Sequence, residues 1–337
     1  MNLYLNRYSL LNKKLTFSLF LIFCGVGSLF LHVEMSQASE KVKLALNWKA
    51  EPQFGGFYAA ALNKEFTQRG LDVEILEGGS GTPTVQMLAN NKVDFAIVSA
   101  EEIILSRQNN PEHPVTALFA TYQTNPQAIL THAENKYTNL VDVLKSQEGI
   151  LSAQSGLTYV AFLKQKYKGQ IKTKWVPYLG GISQFLSNKK LSQQCFFNSE
   201  PLAAEKAGAK AQVFLIAESG FNPYTTVLAT QSERLKDLER KKVVEKIIQA
   251  VRAGWESYLK DPEPTNKYMA QINKTMDLET FNKSARLQIK LIETSSSSKN
   301  SKEPPLGTMD LERWKTLVQQ MRDLQLLKRD VPPESLF

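Results

Sequence analysis

Asn47 and Trp48 close a short apolar run, and Phe54-Gly55-Gly56-Phe57-Tyr58 follows a few residues later. An indole beside a carboxamide and a Gly-Gly pair can stack on a flat ring, with Tyr58 as a further aromatic contact; a Trp at a strand end can equally be plain core. Glycine and hydroxyl residues cluster after several apolar runs: Glu77-Gly78-Gly79-Ser80-Gly81-Thr82-Pro83, then Gln154-Ser155-Gly156, Tyr178-Leu179-Gly180-Gly181 and Asn198-Ser199-Glu200-Pro201. In the first, Thr82 can cap a helix and Pro83 can take its first position. Such strand-to-helix junctions need caps and glycines for their own sake, yet in an open parallel sheet they lie at the strands' carboxyl ends, where helix N-terminal amides face a ligand. Glu200 has two readings as well. An acid at a helix start is favoured by the dipole alone, and a carboxylate there can accept hydrogen bonds from an amino-heterocycle. Ser99 and Gln123 complete a candidate ligand-binding set of Asn47, Trp48, Tyr58, Ser80, Thr82, Ser99, Gln123, Ser155, Gly156, Tyr178 and Glu200.

Signals of catalysis or metal binding are missing from this pattern. The chain has no G-x-S-x-G elbow and no G-x-x-x-x-G-K-[ST] loop, and residues 78 to 84 lack the third glycine of a dinucleotide fingerprint. His113 and His132 stand far from Cys195, so no zinc spacing exists. No catalytic residue, metal or cofactor is expected.

The elements that must carry these loops are legible as short apolar runs alternating with amphipathic segments, the pattern of α/β architecture with largely parallel strands. One series of strands is expected at 42–47, 72–76, 94–98, 115–120 and 127–131. A second lies at 149–153, 173–176, 194–197 and 212–216, with 226–229 leading back out, and each series is read as one lobe. Between the first two strands a helix is expected over 57–68, with Phe57, Tyr58, Ala61, Leu62 and Phe66 on one face and Gly70 ending it. Beyond residue 230 the chain turns helical. Val244, Ile247, Ile248, Val251, Trp255 and Tyr258 make one core stripe, and Leu311, Trp314, Leu317, Val318, Met321 and Leu324 another. The stretch 294–307, rich in Ser, Lys and Pro, reads as an exposed loop.

At 337 residues the chain is two to three times a usual domain, which also favours two lobes. With 42% hydrophobic residues it can build a core, which excludes disorder, and its net charge of +8 is spread over helix faces, which disfavours nucleic-acid binding. The N-terminus reads as a targeting segment. Lys13 and Lys14 precede an apolar run over 15–33, and Ser36 and Ala38 stand at the minus-three and minus-one positions of a secretory cleavage site. A membrane anchor is the alternative, weakened by Gly25, Gly27, Ser28 and His32. Cleavage after Ala38 would remove Cys24 and leave Cys195 as the lone thiol, so no internal disulfide could form.

Leu46-Asn47-Trp48, residues 54–60, Gly70-Leu71-Asp72-Val73-Glu74-Ile75, residues 78–83, Lys92-Val93-Asp94-Phe95 and residues 198–201 together resemble periplasmic solute-binding proteins of ABC importers. The closest branch takes up thiamine-type pyrimidine precursors and is related to fungal hydroxymethylpyrimidine synthase and, more distantly, to alkanesulfonate-binding proteins. The resemblance spans about residues 41–310. It implies a two-lobed periplasmic-binding-protein fold, type II-like, with a helical C-terminal extension: lobe 1 from 39–126 plus 225–337, lobe 2 from 127–224, and a signal peptide over 1–38. It further implies a periplasmic monomer that captures a small-molecule ligand with the Asn-Trp pair and the loop acid, and that works with an inner-membrane ABC permease. The synthase's lysine and histidine have Val98 and Glu102 as counterparts here, and its cysteine-rich stretch reads Gln193-Gln194-Cys195-Phe196-Phe197, so synthase chemistry is not expected. A sulfonate or other small anion held by residues 78–83 is the alternative ligand.

Overall fold

The computed structural model describes residues 39–293 and 305–337; the expected signal peptide over 1–38 and most of the expected 294–307 loop lie outside them. Among the described residues ten strands are formed: β1 (Glu40–Ala45), β2 (Leu71–Leu76), β3 (Phe95–Val98), β4 (Val115–Ala120), β5 (Gln127–His132), β6 (Ile150–Ala153), β7 (Lys174–Pro177), β8 (Leu191–Phe196), β9 (Ala211–Leu215) and β10 (Val227–Gln231). Each falls where an apolar run predicts it. They make two five-stranded sheets of identical design, ordered β2-β1-β3-β10-β4 and β7-β6-β8-β5-β9.

Four strands of each sheet run one way, as expected, and one runs against them. β1 pairs parallel with β2 and β3, and β6 with β7 and β8, whereas β10 runs antiparallel to β3 and β4, and β5 antiparallel to β8 and β9. In each sheet the antiparallel strand is the one that enters from the other: β5 follows β4 but joins the second sheet, and β10 follows β9 but joins the first. The expected first series therefore contained one strand too many. Period alone shows that 127–132 is a strand and says nothing about which neighbours its backbone pairs with.

Helices fill the connections: α1 (Gly55–Leu62), α2 (Thr84–Ala89), α3 (Ala100–Asn109), α4 (Leu140–Lys145), α5 (Thr158–Lys166), α6 (Ser183–Ser187), α7 (Glu200–Lys206), then α8 (Leu238–Lys260), α9 (Glu263–Ile272), α10 (Leu278–Ile292) and α11 (Leu311–Asp323). α1 is shorter than expected. Lys64 adopts φ 61°, the helix stops at Leu62, and Ala61 and Leu62 face solvent; only Phe57, Tyr58 and Phe66 of the expected stripe are buried. The start of α1 packs closely on α8. A Cβ on Gly56 would lie 2.1 Å from the Trp255 ring, so the glycine pair lets two backbones approach with Trp255 and Tyr258 sealed between them. Each such large side chain contributes about 1.5–3 kcal/mol by leaving water.

The α8 stripe is buried as predicted, with Ile248 at its margin, and so are Trp314, Leu317, Val318 and Met321 of α11. Asp237, Asp277 and Asp310 cap α8, α10 and α11. α10 differs in kind, because its buried face carries Ser284 and Gln288 among Phe281, Ala285, Leu291 and Ile292. The outer edge of β4 does not stay open. Ala117 N–H donates to Leu336 O at 2.8 Å and Ala120 N–H to Gly307 O at 3.0 Å, so the C-terminal segment covers it.

Candidate functional site

Trp48 leaves the end of β1 half-exposed, at 39%, and its Nε1–H donates to Glu51 Oε1 at 3.2 Å. Gln53 Nε2 donates to the other oxygen, Oε2, at 3.2 Å. Glu51 is buried, and burial pushes its pKa up to about 7; the charge of Glu200 pushes the same way, while Gln53, Trp48 and Lys49 pull it down. Pro52 and Ala50 are fixed from behind: Gln288 Nε2 donates to Pro52 O at 2.9 Å, and Asn273 Nδ2 to Ala50 O at 3.0 Å.

The 77–83 loop lies directly against this segment. Gly78 N–H donates to Trp48 O at 3.0 Å, and a Cβ on Gly78 would stand 2.2 Å from Leu46 O, so only glycine fits there. Ala50 N–H donates to Glu77 Oε1 at 2.8 Å. Thr82 does not cap a helix: its Oγ1 accepts from Gly79 N–H at 2.8 Å, Pro83 stands at the N-cap position, and α2 begins only at Thr84. The Thr82 hydroxyl is thus turned into its own loop. Ser80 is exposed and Asn47 half-buried.

On the second sheet's side, Glu200 opens α7 with Pro201 behind it. Its Oε2 accepts from Phe196 N–H at 2.8 Å, and Tyr178 Oη lies 3.5 Å from Oε1. Burial raises the Glu200 pKa against the pull of these donors. Tyr159, Tyr178 and Cys195 surround it, and all three are shifted upward, by burial first and by the Glu200 charge in addition. A second carboxylate therefore faces the field of Glu51 from the opposite sheet, with one oxygen held by backbone and the other only loosely engaged.

A buried polar chain connects the two acids' loops. Tyr122 Oη donates to Gln288 Oε1 at 2.6 Å, and Asn198 Nδ2 donates to Gln288 Oε1 at 3.2 Å and to Ser284 Oγ at 3.0 Å. Through Gln288, α10 holds Pro52 beside Glu51 and Asn198 two residues before Glu200. Nothing linear announced Gln288 or Glu51. One is a polar residue in an apolar stripe, and the other a lone acid before proline, which reads as a turn.

The remaining candidates are placed elsewhere. The Tyr58 ring packs against Tyr268 with centroids 6.0 Å apart, and its buried hydroxyl has no hydrogen-bond partner. Ser99 forms a capping box with Glu102: Ser99 Oγ accepts from Glu102 N–H at 3.3 Å, and Ser99 N–H donates to Glu102 Oε2 at 2.7 Å. Gln123 Nε2 donates to Ala120 O at 3.3 Å and Thr308 O at 3.2 Å, within the connection from β4 to β5. Ser155 and Gly156 form an exposed turn with Gly156 at φ 86°. Val98 is buried in β3 opposite Val227. Among the described residues no group of three or more His, Cys, Asp or Glu could hold a metal ion, and no helix is long and apolar enough to cross a membrane.

The family model described as NMT1/THI5 like matches residues 51–265. A comparison with curated proteins finds no match. Among solved structures, the chain is similar to the periplasmic aliphatic sulphonate binding protein SsuA from Escherichia coli, at 10% identity and a TM-score of 0.67, over 88% of this chain and 92% of that one. It is similar also to the alkanesulfonate-binding protein SsuA from Xanthomonas axonopodis pv. citri bound to MOPS, at 11% identity and 0.61, over 87% and 96%. The periplasmic nitrate-binding protein NrtA from Synechocystis PCC 6803 matches at 13% identity and 0.61, over 88% and 84%. These likenesses are of fold: the two sheets with their helices form the two-lobed α/β fold of periplasmic binding proteins, with a helical C-terminal region.

Proposed function

The chain belongs to the NMT1/THI5-like family, and from that premise we propose that it is the substrate-binding component of an ABC importer, acting in the periplasm as a monomer. Residues 39–126 with 225–337 form one lobe and 127–224 the other. The lobes close on a small amino-heterocycle, of which a thiamine-related pyrimidine precursor is the best candidate, and a membrane permease takes it onward. Ligand contacts to both lobes favour the closed state over the open one. It is a binding protein, not an enzyme.

One observation carries the ligand class. Two carboxyls stand within each other's field, Glu51 buried and Glu200 partly buried, beside the half-exposed Trp48 ring, with Tyr178 next to Glu200 and Lys49 acting on Glu51 from its own segment. Carboxylates accept hydrogen bonds, and a ring bearing amino N–H groups supplies them while its face stacks on the indole. The second reading, a small anion, draws on the sulphonate- and nitrate-binding proteins of the same fold. Two acids repel an anion to the extent that they are ionised and, protonated or not, offer oxygens to a donor, which favours the amino-heterocycle.

The test is mass spectrometry of ligand released from protein purified under native conditions, followed by calorimetry with the hydroxymethylpyrimidine of thiamine and with methanesulfonate. Pyrimidine binding with no sulfonate response supports the proposal; the reverse overturns the ligand class. Export is tested separately, since the periplasmic protein should have the intact mass of a chain beginning at Ser39.

A further inference from the structure

The two sheets are joined by two stretches of chain within 39–293, one from β4 to β5 through Thr121 and Asn125, the other from β9 to β10 through Asn222 and Tyr224. Any swing of one lobe against the other must bend both. One side chain touches both. Arg313, in the first turn of α11, donates from Nη1 to Gln123 O at 2.6 Å on the first connection. On the second it donates from Nε to Asn222 O at 2.6 Å, and from Nη2 to Pro223 O at 3.0 Å and Asn222 Oδ1 at 3.1 Å. Its guanidinium lies 3.8 Å from the centroid of the Tyr224 ring.

The connections are also tied to each other and to α11's start. Asn125 N–H donates to Asn222 Oδ1 at 2.8 Å, and Asp310 N–H donates to Tyr224 Oη at 2.8 Å. Asp310 caps α11 by accepting from Arg313 N–H at 3.0 Å, which fixes the root of the arginine. The far end of α11 meets the second sheet's elements: Gln165 Nε2 of α5 donates to Asp323 O at 3.1 Å, and Gln320 Nε2 to Gly220 O at 2.9 Å.

We infer that Arg313 is the hinge clasp of this protein, a positioning residue that sets how far and how easily the two lobes swing about the paired connections. A guanidinium is a rigid planar fork. It holds Gln123 O and Asn222 O at one separation, which a flexible ammonium, a single-point donor, does not do. Charge-assisted bonds to backbone carbonyls at both connections must stretch together when the hinge bends, so they oppose excursions from the geometry seen here. α11 lies outside the 51–265 family match, so the clasp is supplied by the C-terminal helical region rather than by the segment common to the family. The inference rests on the reading of a closing two-lobed protein but not on the ligand class.

The test uses the ligand-free full chain and compares wild type with Arg313→Met and Arg313→Lys. Hydrogen exchange is followed in peptides covering 121–126 and 221–226, where Gln123 and Thr124 N–H donate to Leu291 O and Thr121 N–H to Thr226 O. Arg313→Met should speed exchange there by roughly ten-fold while leaving β1, β3 and α8 unchanged, and X-ray scattering should show a wider spread of lobe separations. Arg313→Lys keeps the charge over Tyr224 but reaches one connection only, and should give the same two changes, smaller. Unchanged exchange and scattering in a folded variant overturn the inference. So does loosening spread evenly over α11 and the first sheet, which would make Arg313 a peg for its own helix. If Arg313→Met does not fold, Arg313→Lys decides, and a lysine variant indistinguishable from wild type overturns it.

Discussion

The Trp48 indole N–H and the Glu51 carboxyl are joined at 3.2 Å, so the aromatic face and the acid of the first lobe form one rigid unit rather than two independent contacts. The ring is held by its Nε1 edge and stays 39% exposed. Trp48→Ala should weaken binding of hydroxymethylpyrimidine by roughly 1–3 kcal/mol, whereas Trp48→Phe keeps a ring to stack on and should lose less. Calorimetry is the measurement, because Trp175, Trp255 and Trp314 confuse fluorescence. Unchanged affinity in a folded Trp48→Ala protein would remove the residue from the site.

Glu200 distinguishes an amino-heterocycle from an anion by sign. Its Oε2 accepts the Phe196 N–H, so Glu200→Gln can keep that bond only by turning its amide nitrogen toward the ligand. A donor then opposes the ligand's donors, and affinity for the pyrimidine should fall by about 1.5–3 kcal/mol, a factor of roughly ten to a hundred. Tighter binding of methanesulfonate in the same variant would instead favour the anion, since the substitution deletes repulsion.

A pH dependence follows from Glu101, a buried acid in the first turn of α3 with one oxygen unpartnered. Burial raises its pKa from 4.5 to about 7, with Arg313 pulling weakly the other way. A raised carboxyl pKa means that the unfolded chain ionises first. The contribution of Glu101 to stability is therefore most favourable below 4.5, falls as pH rises toward 7, and is level above it. Glu101→Gln removes this loss and should be more stable than wild type at pH 8 by roughly 3 kcal/mol, with little difference at pH 4. Urea unfolding at the two pH values measures it; an equal shift at both would deny the titration. Glu51 has the same sign and adds to the wild-type slope.

Gln288→Leu should lower stability by about 2–4 kcal/mol in urea unfolding, because it strands the buried Tyr122 hydroxyl and takes a donor from Pro52 O. It should also weaken ligand binding without touching the ligand, by releasing the Pro52 and Asn198 loops. A loss of stability with affinity intact would limit α10 to a packing role.

Much of this was legible in the chain. The strands among the described residues lie where apolar runs put them, and the α8 and α11 stripes are buried except at Ile248, Leu311 and Leu324, because burial on one face leaves a period that survives any tertiary arrangement. What was not legible depends on contacts far apart in sequence. The sheet that β5 joins is decided by β8 and β9, and the hold on Pro52 and Asn198 by Gln288, some 90 to 236 residues away. Glu200 was visible through its loop. Glu51, its counterpart, was not, and nothing in the sequence pattern singles out Arg313.

The order of strands in the first sheet has a consequence for how the protein is made. β10 lies between β3 and β4, and the covering of β4 comes from Gly307 and Leu336, near the end of the chain. A nascent chain that has emerged only as far as β9 owns every strand of the second sheet, but of the first it holds β2-β1-β3 and a separate β4 with no strand between them. The second sheet can be completed once β9 has emerged; the first keeps unpaired strand edges on β3 and β4 until β10 has followed, so its early half is exposed to wrong pairing for longer.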